Sequence, residues 1–150
     1  MLQFLRLAPV PDREPDANLT GSIKIILADD HAAMRQSLRL LLDGEADIDV
    51  IAETDSLSAV IAHVHARRPD VLVLDLGMSS RGSGIAALDK LSRDMRDMSI
   101  VVLTTNDDPA FARRVLDNGA AGLVLKEQIG SRRIVAVCII AGGAAILRLA

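Results

Sequence analysis

Five short aliphatic runs alternate with segments whose apolar residues recur at helical spacing, and this alternation constrains the fold more than any other feature. The runs are apolar on both faces, as parallel strands covered by helices must be. They predict strands at 23–28, 48–53, 71–75, 99–104 and 121–126. Helices are predicted at 34–42, 56–68, 85–95, 111–119 and 131–141. The pattern predicts an α/β fold: a doubly wound, five-stranded parallel sheet with five helices and right-handed crossovers.

The two ends of the chain differ from this pattern. Residues 1–22 hold three prolines among charged residues, and we interpret them as a mobile N-terminal extension before a domain at 23–147. The stretch 134–147 is apolar, but its 14 residues include two glycines and are too few for a membrane span. The helix predicted there is apolar around much of its circumference, which favours a homodimer or an effector domain that covers it.

Composition excludes several classes of protein. The net charge of the 150 residues is −3, and no basic run exceeds two residues. We therefore do not expect this chain itself to bind nucleic acid. Cys138 is the single cysteine, and no Cys/His spacing typical of a metal site exists. The first residues do not resemble a signal peptide. We therefore expect a cytoplasmic protein without disulfides or membrane association.

Polar residues stand at the carboxyl ends of the predicted strands, where doubly wound sheets bind ligands. Asp29 and Asp30 follow the first strand, and Asp75 ends the third. Thr104 ends the fourth strand and Lys126 the fifth. Clustered carboxylates repel one another unless a cation joins them, and all-oxygen ligands suit Mg²⁺. Lysine and threonine suit the charge of a phosphoryl group, which makes Asp75 the predicted nucleophile and an acyl phosphate its product.

This ordered set resembles the receiver domain of bacterial two-component response regulators over residues 23–147. The motifs most similar to its LuxR-type (NarL/FixJ) branch are "ILADDH", "RPDVLVLDL", "VVLTT" and "GAAGLVLK". The resemblance implies a flavodoxin-like sheet of strand order 2-1-3-4-5. It implies a signalling module that receives a phosphoryl group from a sensor histidine kinase, and not an enzyme beyond its own phosphotransfer and dephosphorylation. DNA would be bound only through a C-terminal domain that this chain does not contain.

The resemblance also implies roles for individual residues. Asp75 would be the phosphoacceptor, and Thr104 and Lys126 would hold the phosphoryl oxygens. The implied Mg²⁺ ligands are Asp29, partly through water, Asp30, Asp75 and the backbone carbonyl of Gly77.

Three features depart from the family pattern. Ser79 follows Met78 where proline is common, and the loop at 77–84 is about one residue longer than usual. Leu123 stands where the family usually has Tyr or Phe, three residues before the lysine. That aromatic commonly moves inward with the threonine, so Leu123 puts the usual coupling between phosphorylation and output in question.

Other interpretations remain open on the sequence alone. Asp29 and Asp30 are also suited to capping the next helix, and the histidines His31, His63 and His65 are predicted to be helix-surface residues. "DDHAAM" resembles the signature of cobalamin-binding domains, but Met34 stands in place of its glycine. A haloacid dehalogenase-type phosphatase would need a second aspartate two residues after Asp75. A degenerate receiver that acts only as a protein-interaction module is the remaining alternative.

Overall fold

The five parallel strands form one sheet with the order β2-β1-β3-β4-β5. The computed structural model describes residues 21–78, 83–129, 139–140 and 143–144. The strands of the sheet are β1 (Ile23–Ala28), β2 (Ile48–Thr54), β3 (Val71–Asp75), β4 (Ser99–Thr104) and β5 (Gly122–Leu125). The helices within the described residues are α1 (Ala32–Asp43), α2 (Leu57–Arg67), α3 (Ser83–Asp94) and α4 (Pro109–Asp117). The predicted doubly wound fold and its strand order are confirmed.

Local signals explain where the helices begin and end. The Ser56 hydroxyl accepts a hydrogen bond from the Ala59 amide at 3.3 Å, which caps the start of α2. That helix ends at Arg67; its C-cap, Arg68, takes the left-handed conformation with a φ of 46°. Pro69 follows and cannot continue the helix, because it has no amide hydrogen. Helix α4 ends at Asp117, with Asn118 as its C-cap and the next residue, Gly119, in the left-handed region at a φ of 101°.

The predicted fifth helix, 131–141, lies mostly outside the described residues, and where it can be compared it is wrong. Residues Ile139–Ile140 form a short strand, β6, that pairs antiparallel with β7, Gly143–Ala144. Two β-branched isoleucines favour a strand, and consecutive glycines at 142–143 disfavour a helix. The predicted N-terminal extension up to residue 20, and Cys138, also lie outside the described residues.

Both faces of the sheet are covered, which explains why its strands lack the alternation of a half-exposed sheet. Strand β3 lies at the centre: Leu72 and Leu74 pack into one hydrophobic cluster with α2 and α3, whereas Val71 and Val73 pack into a second cluster with α1. Every residue of β3 is buried, including its last, Asp75. The burial of a carboxylate requires partners. In the part of the chain described here, no helix has the length and hydropathy needed to cross a bilayer.

Candidate functional site

Four buried polar side chains lie at the carboxyl edge of the sheet, and three of them, Asp29, Asp75 and Lys126, are in direct contact. Asp29 directly follows β1, Asp75 and Thr104 are the last residues of β3 and β4, and Lys126 directly follows β5. None of the four is more than 8% exposed. Because neighbouring parallel strands end at the same edge, the strand order itself brings these groups together.

Lys126 connects the two buried carboxylates. Its Nζ lies 2.7 Å from Asp75 Oδ2 and 2.9 Å from Asp29 Oδ2. Burial lowers the pKa of Lys126, but hydrogen bonding and attraction to Asp75 and Asp29 outweigh that effect, so the pKa is raised above its usual value. The ammonium therefore stays charged at neutral pH. Its 2.9 Å contact with Asp29 is an ion pair that adds to the attraction raising this pKa, and the buried Asp29 Oδ2 makes no hydrogen bond that meets the usual geometry.

This arrangement predicts a specific loss of stability at alkaline pH. A raised lysine pKa contributes stability that is fully present below the unfolded pKa, near 10.5, and is lost as the pH rises through the folded pKa. In metal-free buffer, we expect Lys126→Met to unfold more easily than wild type at neutral pH, and the difference to shrink above pH 10.5. Urea unfolding at several pH values measures it.

Few other groups complicate that measurement. The chain has three lysines and no tyrosine, and Lys24 and Lys90 are exposed. Lys90→Met serves as the control and should follow the wild-type pH dependence. A constant difference between wild type and Lys126→Met across the alkaline range would contradict the assigned ion pairs.

Asp75 is held from its other side by the turn that follows it. Residues Leu76–Met78 form a short 3-10 turn, and the amide of Gly77 donates a hydrogen bond to Asp75 Oδ1 at 2.8 Å. A Cβ at residue 77 would lie 3.1 Å from that oxygen, so glycine keeps the space beside the carboxylate open. This contact is made by the Gly77 amide. The role predicted for its carbonyl, as a metal ligand, stays a prediction.

The segment between β1 and α1 adds a second carboxylate and an imidazole. Asp29 Oδ1 accepts the amide hydrogen of His31 at 2.8 Å. His31 Nδ1 lies 3.0 Å from Asp30 Oδ1 and 3.3 Å from Asp29 Oδ1. His31 is itself the N-cap of α1, without a capping bond from its side chain. Neither aspartate caps the helix, so the capping interpretation is wrong.

The cluster has the donors and the charge of a cation site. One ligand atom from each of Asp29, Asp30, His31 and Asp75 lies within 4.8 Å of all the others. Three carboxylates face one ammonium, which leaves an excess of two negative charges if all are ionised. Together with the buried Asp29 Oδ2 that has no hydrogen bond, this excess fits a divalent cation. The residues present could therefore bind a metal ion.

Two other polar groups near the strand ends differ in position: Thr104 lies beside a cavity at the site, and Glu53 lies away from the site. Thr104 is buried and its Oγ1 accepts the amide hydrogen of Asn106 at 3.0 Å, whereas Thr105 is exposed. A cavity of about 310 Å³ opens beside it, lined by Leu76, Gly77, Gly84, Ile85, Thr104, Phe111 and Arg114. Glu53, on the edge strand β2, is outside the cluster and binds Arg39 Nη1 at 3.0 Å.

His31 makes contacts that the sequence did not predict. The prediction that it lies on the helix surface is correct for its exposure, since its side chain is 71% exposed. Its contacts with Asp29 and Asp30 were missed. The sequence signal that could have predicted these contacts is the position of His31, which directly follows two aspartates at a strand end. At the N-cap of α1 its side chain lies next to those preceding residues.

A five-stranded doubly wound sheet with a buried aspartate, lysine and threonine at its carboxyl edge defines a receiver-type domain. The family described as "Response regulator receiver domain" matches residues 25–138. The oxygen regulatory protein NreC of Staphylococcus epidermidis is 37% identical over 115 residues, which are 77% of this chain and 53% of that protein. NreC of Staphylococcus haemolyticus is 35% identical over the same shares.

Solved structures of receiver domains also match this chain. The isolated receiver domain of RcsB from Salmonella enterica, in the presence of the phosphomimetic BeF3-, is 32% identical with a TM-score of 0.66, over 71% of this chain and 79% of that one. The non-phosphorylated receiver domain of RcsB from Escherichia coli is 32% identical with a TM-score of 0.67. The match covers 73% of this chain and 85% of that one. The chain belongs to the response regulator receiver domain family, in its NarL/FixJ branch. It spans about half the length of the curated relatives it matches.

Proposed function

We propose that this domain accepts a phosphoryl group on Asp75 from a sensor histidine kinase, in a Mg²⁺-dependent reaction, and thereby controls transcription. The observation that carries the proposal is the position of Asp75. It is a buried carboxylate at the end of the central strand, hydrogen-bonded to the Lys126 ammonium at 2.7 Å, in a cluster that fits a divalent cation. Labelling with a small phosphodonor, with Asp75→Asn as the comparison, tests it.

Each side chain of the site has a task in this reaction. A carboxylate oxygen of Asp75 attacks phosphorus, the bond to the donor breaks, and an acyl phosphate results. Lys126 offsets the negative charge that gathers on the phosphoryl oxygens. Thr104 Oγ1 accepts a hydrogen bond from the Asn106 amide, and among the described residues its own proton has no acceptor, so we propose that it is donated to a phosphoryl oxygen. Transfer to Asp75, and later hydrolysis of the product, are the only reactions proposed for the domain.

Asp29, Asp30, Asp75 and the Gly77 carbonyl are the proposed ligands of Mg²⁺. When bound, the ion offsets charge between the acceptor carboxylate and the incoming phosphoryl group. The carboxylates of Asp29 and Asp75 are already fixed by Lys126, so the protein orients them before the ion binds. Asp30 is 46% exposed, which leaves it able to adjust to the ion.

The output of the domain is proposed from its relatives. The chain matches about half of regulators such as NreC, and one matched structure is of RcsB from Salmonella enterica bound to a promoter. We propose that a C-terminal domain makes the DNA contact, and that the whole regulator is cytoplasmic. A homodimer is the proposed form through which phosphorylation acts. Leu123, half-buried against the core, stands where an aromatic side chain would couple Thr104 to that output.

The phosphorylated domain is expected to lose its label slowly. Hydrolysis is faster when a side chain next to the acyl phosphate orients water. Gly77 has no side chain, and the Asn106 amide oxygen already accepts the Asp108 amide hydrogen at 2.9 Å. We therefore expect the purified phosphoprotein to keep most of its label for minutes at neutral pH, as measured by intact mass over time.

A substitution at residue 77 tests the cause of that lifetime. Gly77 does not have a positive φ, so its backbone accepts a side chain, although the Asp75 carboxylate, 3.1 Å from the new Cβ, must shift by a few tenths of an ångström. Gly77→Asn brings an amide beside the acceptor and should shorten the lifetime. Gly21→Asn is the matched control, since nothing lies within 4 Å of that position. Loss of the wild-type label within seconds would contradict the expectation.

A further inference from the structure

One nitrogen ligand lies among the oxygen ligands of the acidic cluster. His31 Nδ1 is 3.0 Å from Asp30 Oδ1 and 3.3 Å from Asp29 Oδ1. Nδ1 and one oxygen from each of Asp29, Asp30 and Asp75 lie within 4.8 Å of one another. These four atoms are close enough to share a single ion.

We propose that His31 is a nitrogen ligand of the metal at this cluster, and that it gives the site a high affinity for imidazole-binding transition ions such as Ni²⁺. The inference rests on the proposed function, because it concerns the same metal site. Mg²⁺ prefers oxygen ligands and keeps several waters, so it gains little from an imidazole. Ni²⁺ and Zn²⁺ bind imidazole well.

The local structure holds His31 in place for this role. Its backbone amide donates to Asp29 Oδ1 at 2.8 Å, which fixes the residue next to one of the proposed ligands. Its side chain makes no capping bond to α1, so the ring is not needed for the start of that helix. The ring is 71% exposed and can turn toward an ion without repacking the core. Coordination through Nδ1 requires that the neutral ring carry its proton on Nε2.

A second observation marks the cluster as a place for a cation rather than a group of surface charges. Asp29 is 1% exposed, and its Oδ2 has no hydrogen bond in the part of the chain that the structure describes. Its close partner, Lys126, is shared with Asp75. Because one ammonium is shared by two buried carboxylates, the negative charge of Asp29 is only partly compensated, and a bound cation would compensate the rest.

The test compares two metal salts on untagged protein. Titration calorimetry with NiCl2 and with MgCl2, at neutral pH, is made on wild type, His31→Ala and His65→Ala. His65 is the matched control, an exposed histidine on α2. We expect His31→Ala to weaken Ni²⁺ binding at least about tenfold and to change Mg²⁺ binding by less than about twofold. His65→Ala should match wild type with both ions.

A second variant guards against a folding defect. His31→Ser removes the imidazole and supplies a preferred N-cap residue, so it should keep α1 intact and show the same loss of Ni²⁺ binding. Equal Ni²⁺ affinity in wild type and both His31 variants would overturn the inference, and so would an equal loss in His65→Ala. Either result would leave the Mg²⁺ site of the proposed function in place. Failure of wild type to bind Mg²⁺ would instead count against the proposed function.

Discussion

Wild-type protein incubated with acetyl phosphate and Mg²⁺ is expected to gain the mass of one phosphoryl group per chain, and Asp75→Asn is expected to gain none. The carboxylate of Asp75 is the nucleophile, and the amide nitrogen and oxygen of asparagine cannot form the acyl phosphate. Asparagine has the same shape, so it can still accept the Gly77 amide hydrogen that Asp75 accepts at 2.8 Å. The variant should therefore fold, and the loss should be complete rather than partial.

The control for this prediction is an aspartate away from the site. Asp97 is exposed and precedes β4, so it lies toward the opposite end of that strand from Thr104. Asp97→Asn should be labelled to the same extent as wild type. Equal labelling of Asp75→Asn and wild type would contradict the assignment of Asp75 as the phosphoacceptor.

The second large effect expected is the stabilisation of the domain by Mg²⁺. An ion that binds only the folded site stabilises it by about 2.7 kcal/mol at a concentration of 100 times its Kd. Asp29, Asp30 and Asp75 come together only in the folded chain, since they follow or end two different strands. Urea unfolding with and without Mg²⁺ measures the gain directly.

Asp30→Ala should remove most of that gain. Asp30 is 46% exposed and its described contact is with His31, so its removal costs the metal-free fold little. It is therefore a cleaner variant than Asp29 or Asp75, both of which pair with the buried Lys126. Asp49→Ala, at an exposed position on β2, is the control and should keep the full gain. An unchanged gain in Asp30→Ala would rule out Asp30 as a ligand.

The first and last residues of the central strands could be predicted from the sequence, because each of these aliphatic runs has clear ends. Strands β1, β3 and β4 have the predicted bounds, since each is a continuous aliphatic run that ends in or before a polar residue. The prediction failed at Ile139–Ile140, where isoleucines fit either a strand or an apolar helix face. Strand β5 is shorter than predicted because Lys126 begins a 3-10 turn.

The site was predictable to the extent that strand ends define it. Asp29, Asp75 and Lys126 are in contact as expected, and Thr104 ends the neighbouring strand β4 at the same edge, because the last residues of parallel strands lie together there. The shared ammonium of Lys126 was not predictable, since it depends on where a long side chain points. Nor was the contact of His31 with the carboxylates, because helical spacing alone places it on the surface.

The most direct measurement of the proposed function is the position of the phosphoryl group. After labelling with acetyl phosphate and Mg²⁺, borohydride reduction converts the aspartyl phosphate to a stable alcohol, and peptide mass mapping locates it. The predicted result is a single modified residue, Asp75, between the buried strand β3 and the turn Leu76–Met78. Modification at another aspartate, or none under conditions where the protein is folded and binds Mg²⁺, would contradict it.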